Sequence, residues 1–356
     1  MSSEKFPLGR VSTKPQITIY DVAARAGVAI SSISRVLSGH PDVSPRMRLR
    51  VQKAVDDLGY EPDLLAQSLR RGATKTIGFI VRDISNPLFA LKAQRCEQVL
   101  RKAGYSMILM NSDGNIKTES ENFSLLRRRR VDGVIASLVS ENSPNLKNTL
   151  ENLHMPLVLL DREVPGLNAG AIVGDHRHGI FDATKDLIQR GHRDIAYISG
   201  GTEVLVTRNR LRGFYEAFEE ANLPIPETSI ALGRFDVDYA VAETRRLFMQ
   251  NPHPSALMTG GIRTTAGALQ VLNELKIKPG KDLAFVAIDE WPMFEVFASE
   301  FSSVFRDPAK IGELSAQLIL DMLNGGEARQ LVVETKYILR KSSAGGLKSN
   351  WLRRYN

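Results

Sequence analysis

Between residues 76 and 289 the chain carries nine short, nearly continuous apolar runs, and these limit its fold more than any other feature. They read TIGFIV (76–81), SMILMN (106–111), VDGVIAS (131–137), PLVLLD (156–161) and GAIVGD (170–175). DIAYISG (194–200), SIALGRF (229–235), ALMTG (256–260) and LAFVAID (283–289) complete the series. A strand that is apolar along its whole length must be covered on both faces. The stretches between the runs read as helices, so the pattern predicts parallel sheets sandwiched by helices. Nine strands suit two doubly wound lobes better than one. Such sheets bind ligands at the carboxyl ends of their strands. Polar residues recur there: Arg82 and Asp83, Asn111, Asp161, Asp175 and Asp289.

The N-terminal region has a different period. In TIYDVAARAGVAISSISRVLSG (18–39), Thr18 is an N-cap with Asp21 at the capping-box position. Val22, Ala23 and Ala26 form a small apolar face, and Gly27 stops the helix. A second helix has Ile33, Val36 and Leu37 on its inner side, with Ile30, Ser31, Ser34 and Arg35 opposite. This is a helix-turn-helix, whose second helix can lie in a DNA major groove. SPRMRLRVQKAVDDLGY supplies a third helix, with Ser44 as cap, Pro45 in the first turn and Gly59 as stop. Many short helix pairs are only packing units, and here the charge argues otherwise. Residues 1–55 hold nine bases against three acids, six of the chain's formal +7. A basic footprint on one small domain fits phosphate contact.

The gap-free run from TIYDVAARAGVAISSISRVLSG through VSPRMRLRVQKAVDDLGYEPDLLAQSLRRGATKTIGFIV resembles the lactose-repressor/galactose-repressor family of bacterial transcription regulators. The same order of elements continues to about Arg340. The resemblance implies an all-α headpiece at 16–61, a hinge at 62–73 and a two-lobed, periplasmic-binding-protein-like domain at 74–340. It implies a DNA-contacting set of Thr18, Tyr20, Ile30, Ser31, Ser32, Ser34 and Arg35, plus Leu69 as a minor-groove wedge. Arginine at position 35 makes physical sense, since its fork spans guanine O6 and N7. Ala29 departs from the family's serine or threonine, so the recognition helix lacks its side-chain cap.

Carried over by position, the effector pocket holds Leu88, Phe89, Asp161, Asp175, Arg210 and Asp289, and Arg82 and Arg263 join from nearby strand ends. The aspartates would equally serve as turn caps, Arg210 as a surface residue and Phe89 as core. Gly261 and Ile262 replace the family's Asn-Asp, Phe301-Ser302-Ser303 replaces Leu-Thr-Thr, and Arg306 stands where glutamine is frequent. Several guanidiniums near one cleft need countercharge. Unless Asp161, Asp175 and Asp289 supply all of it, the effector is expected to be a sugar acid or sugar phosphate. Lobe crossings are expected near Asp161–Asp175, near Asp289–Arg306 and after about Leu331.

A chain of 356 residues with 43% hydrophobic content has room for two or three domains. No run approaches the ~18 apolar residues of a membrane span. Residues 1–15 read as a flexible tail rather than a secretion signal, and 341–356 as a short basic tail. The single cysteine, Cys96, fits a reducing cytoplasm and a core position. RRRR at 127–130 closes a predicted helix. G-x-G-x-x-G, Walker A and G-x-S-x-G motifs are absent, and HRH at 176–178 makes no metal site, so no enzyme, cofactor or metal is expected. One headpiece reads too few base pairs for a genome, which predicts a homodimer on a palindromic operator. The alternative is a stand-alone sugar-binding protein or carbohydrate enzyme with a degenerate headpiece.

Overall fold

The structure, a computed structural model, describes residues 17–61, 72–249, 253–290 and 300–344. The chain divides into two compact units, Met1–Thr74 and Lys75–Asn356. In the first, α1 (Ile19–Ala26), α2 (Ile30–Leu37) and α3 (Pro45–Leu58) close around Val22, Ile33 and Val51, each fully buried. The Asp21 carboxylate accepts from the Thr18 amide at 2.8 Å and its hydroxyl at 2.7 Å, fixing the start of α1. These bonds, the amide first, lower the Asp21 pKa. Gly27 turns the chain with φ 61°, a backbone that a side chain would strain.

The second unit contains two six-stranded sheets. The first lobe runs β1 (Thr76–Val81), α4 (Pro87–Lys102), β2 (Ser106–Asn111), α5 (Ile116–Arg128), β3 (Gly133–Ala136), α6 (Pro144–Glu151), β4 (Leu157–Leu160) and β5 (Gly170–Gly174). The second runs α7 (His176–Gln189), β6 (Ile195–Gly200), α8 (Leu205–Glu220), β7 (Ile230–Gly233) and α9 (Val237–Phe248). It continues with β8 (Ala256–Thr259), α10 (Ile262–Glu274), β9 (Ala284–Ile288) and β10 (Ser302–Phe305). The chain then returns to the first lobe with α11 (Pro308–Leu323) and β11 (Gln330–Val333), and passes again to the second with β12 (Lys336–Ile338). The strand orders are β11-β5-β4-β3-β1-β2 and β12-β10-β9-β8-β6-β7. Among the described residues every strand pairing is parallel except β10 with β12.

All nine expected runs form strands, and β10, β11 and β12 are additional. The crossings fall at Asp175, at Arg306–Asp307 and at Glu334–Thr335. The first falls at the far end of the expected stretch, because β5 still belongs to the first sheet. The crossings are laced together: Asp175 donates its amide to the Val333 carbonyl at 2.8 Å, and the Thr335 hydroxyl donates to the Asp175 carbonyl. Helices α4 and α11 pack closely because Gly312 lacks a side chain. A Cβ there would come within 2.2 Å of the Lys92 carbonyl oxygen.

Candidate DNA-reading helix and ligand cleft

Helix α2 presents a polar outer face. Ile30, Ser31 and Arg35 are exposed, Ser32 and Ser34 half-buried, and Thr18 and Tyr20 stand exposed at the start of α1. Ile33 and Val36 anchor the opposite face. Arg35 makes no ion pair within the described residues, so its guanidinium is available to a partner. Ala29 caps α2 with extended backbone and no side-chain hydrogen bond. Leu69 lies outside the described residues.

In the second unit the carboxyl ends of both sheets face a cavity of about 310 Å³. Among the described residues seven cationic and five acidic side chains line it, an excess of two positive charges. At its floor two aspartates occupy equivalent places. Asp161 follows β4 and Asp289 follows β9, both with left-handed backbone (φ 52° and 69°) and both 4% exposed. Between them lies Arg306, which pairs through Nη1 with Asp161 and through Nε with Asp289 at 2.6 Å. Lys92 Nζ stands 3.5 Å from Asp161, and His176 Nε2 lies 3.1 Å from its other oxygen.

These contacts set the protonation states. Burial would raise both aspartates, but Arg306 and Lys92 hold Asp161 well below the usual range, and Arg306 and Arg210 lower Asp289. Burial would lower Arg306, but the two carboxylates raise it instead. Burial pushes Lys92 down to about 8, and burial with Arg210 nearby pushes His176 down to about 4. At neutral pH the floor therefore holds Lys92, Arg210 and Arg306 as cations, Asp161 and Asp289 as anions, and a neutral His176. Among the described residues of the floor one positive charge is uncompensated.

Arg210, 2% exposed on α8, carries that excess toward the cavity. Its Nη1 donates to the Gly260 carbonyl at 2.6 Å, and its Nη2 stands 3.7 Å from Asp289. Its Nε and Nη2 have no hydrogen-bond partner among the described residues. Arg82 also lines the cavity, over the Phe235 ring at 5.4 Å, with burial lowering its pKa. Arg263 is committed elsewhere, to Asp83 at 3.1 Å and the Ser85 hydroxyl at 2.7 Å.

Six of the eight expected pocket residues line the cavity: Arg82, Phe89, Asp161, Arg210, Arg263 and Asp289. Two do not. Leu88 is adjacent to Phe89 on α4 and so turns away, buried. Asp175 caps α7, accepting from the His178 amide and pairing with that ring. Lys92 and Arg162 line the cavity unforeseen. A lysine in the apolar context ALKA, one turn beyond Phe89, was the available signal for the first. Among the described residues no group of side chains could hold a metal, and no helix is long and apolar enough to cross a membrane.

Residues 18–63 match the family described as bacterial regulatory proteins, lacI family, and residues 184–343 match a periplasmic binding protein-like domain. The repressor PurR of Proteus mirabilis is 30% identical over 92% of this chain and 97% of its own length. The chain belongs to the lacI family. The ribose operon repressor of Haemophilus influenzae is 30% identical over 91% of this chain and 98% of its own. Among solved structures, the lac repressor dimer bound to operator and an anti-inducer matches with a TM-score of 0.81. It is 20% identical over 92% of this chain and 99% of that one. As a lacI-family member the protein is a DNA-binding transcriptional repressor with a ligand-binding domain, not an enzyme.

Proposed function

We propose that this repressor acts as a cytoplasmic, nucleoid-associated homodimer on a palindromic operator, and that a sugar acid or sugar phosphate sets its affinity. One observation carries the effector's charge. Asp175 is engaged outside the cavity, so two carboxylates face three buried cations at the floor. An uncompensated buried charge costs several kcal/mol. A ligand carboxylate or phosphate supplies the missing anion and takes the two unused donors of Arg210. The sugar portion has Phe89 and Phe235 as apolar walls.

Calorimetry with matched pairs tests this: gluconate with glucose, ribose 5-phosphate with ribose. Binding of the acid or phosphate only, lost in Arg210→Ala, is the expected result. Equal or tighter binding of the neutral member ends the reading. Mobility-shift titrations with a palindromic duplex at fixed salt, with and without the bound ligand, test the DNA part.

A further inference from the structure

Arg306 sits where the chain passes from the second lobe back to the first, and it determines which hydrogen-bond acceptors remain open in the cleft. Asp161 is saturated. Its Oδ1 accepts from the Gly174 amide at 2.9 Å and meets His176 Nε2 at 3.1 Å. Its Oδ2 takes Arg306 Nη1, with Lys92 Nζ at 3.5 Å. An ionised carboxylate has about four acceptor sites, so none is left over. Asp289 gives one oxygen to Arg306 Nε at 2.6 Å and the other to Arg306 Nη2 at 3.3 Å, beside Arg210.

A sugar hydroxyl seeking Asp161 must displace a charge-assisted bond, roughly twice as strong as the neutral one it offers, and at Asp289 it meets a carboxylate whose two oxygens are both held by the Arg306 fork. We infer that Arg306 is a specificity-determining residue: it occupies Asp161 and Asp289, withholds them from ligand hydroxyls and so excludes neutral sugars from the cleft. The inference deepens the anionic-effector reading and rests on it for the ligand's charge. Without Arg306 the floor would hold Lys92 and Arg210 against Asp161 and Asp289, so its charge, which occupies both carboxylates, leaves that of Arg210 unanswered. One side chain thus closes the cleft to neutral polyols and favours an anion.

The test is calorimetry on the full-length protein, Arg306→Gln and Arg306→Lys, against glucose, galactose, ribose and gluconate. Thermal unfolding serves as the check on folding. Wild type should show no saturable binding of the three neutral sugars. Arg306→Gln should gain at least about tenfold for one of them and lose affinity for gluconate. Arg306→Lys keeps the charge but not the fork, and should show a smaller gain. Loss of a merely structural residue would weaken all ligands and create no new one. A folded Arg306→Gln without the gain overturns the inference, as does millimolar binding of a neutral sugar by wild type. That wild-type measurement decides the matter even if the glutamine variant does not fold. If wild type takes neither acid nor phosphate, the anionic reading fails by itself. The gain in Arg306→Gln is then judged separately.

Discussion

Glu119 shows how far one buried group can bias this molecule. It is fully buried on α5, with one oxygen accepting from the Val139 amide at 2.8 Å. The other oxygen has no hydrogen-bond partner among the described residues. Burial pushes its carboxyl up to about 7 from 4.5, against the opposing pull of the Val139 amide and Arg162. An acid with a raised folded pKa keeps its proton longer than the unfolded chain does. The Glu119 contribution to stability is therefore full below about pH 4.5 and falls as pH rises to about 7. Glu119→Gln should gain on wild type by about 2–3 kcal/mol across that window in urea unfolding. A difference independent of pH would show that Glu119 is satisfied by a contact other than its proton. Arg35 gives a second test at this scale. If its fork reads a guanine, Arg35→Ala should cost the operator complex ~1–3 kcal/mol and relax one base pair per half-site. Equal loss on random DNA would reduce the residue to a phosphate contact.

At the scale of elements, the missing cap on α2 is the clearest opening. Ala29 already holds the extended backbone of an N-cap, φ −66° and ψ 150°, but offers no oxygen. Ala29→Ser should stabilise the first unit by about 1 kcal/mol, read as a higher melting temperature of its helical signal. No change would mean that water or another group serves those amides equally well. Elements also show what a sequence reveals. TIGFIV and SMILMN form strands over all their residues, since an unbroken apolar run between turns leaves few alternatives. Residues 302–305 give no such signal, because two serines are buried in that strand. Ser302 donates to the Arg340 carbonyl at 2.9 Å, and Ser303 donates to Glu290 at 2.5 Å. Their burial depends on partners distant in sequence, which local periodicity cannot register. Strand β11 is a half-exposed edge and β12 is three residues long, so neither carries enough apolar sequence to stand out.

At the scale of the whole molecule, the positions of the cleft residues followed from strand ends, but their pairing did not. Arg306 meets Asp161 across 145 residues and Arg263 meets Ser85 across 178, so neither bond is visible in any local window. Four of the arginines that line the cleft thus divide into two kinds. Arg306 and Arg263 are spoken for by aspartates, while Arg210 and Arg82 face the cavity with donors or charge to spare. Arg263 therefore acts as a tie between the lobes rather than as an anion holder. A second tie runs from Glu141 in the first lobe to Arg208 at 2.6 Å and the Leu205 amide at 2.8 Å in the second. Arg263 is 37% exposed at its side chain, so water screens its pair with Asp83 and the bond is worth ~0.5–1 kcal/mol. A ligand that needs both lobes must recover that energy when the tie is absent. Arg263→Ala should thus weaken every cleft ligand by about two- to fivefold, without changing the preference for acid over neutral sugar. Small-angle scattering of the ligand-free variant should show a larger radius of gyration than wild type. Loss of the acid preference in Arg263→Ala, with Arg210 intact, would instead make Arg263 the residue that holds the anion.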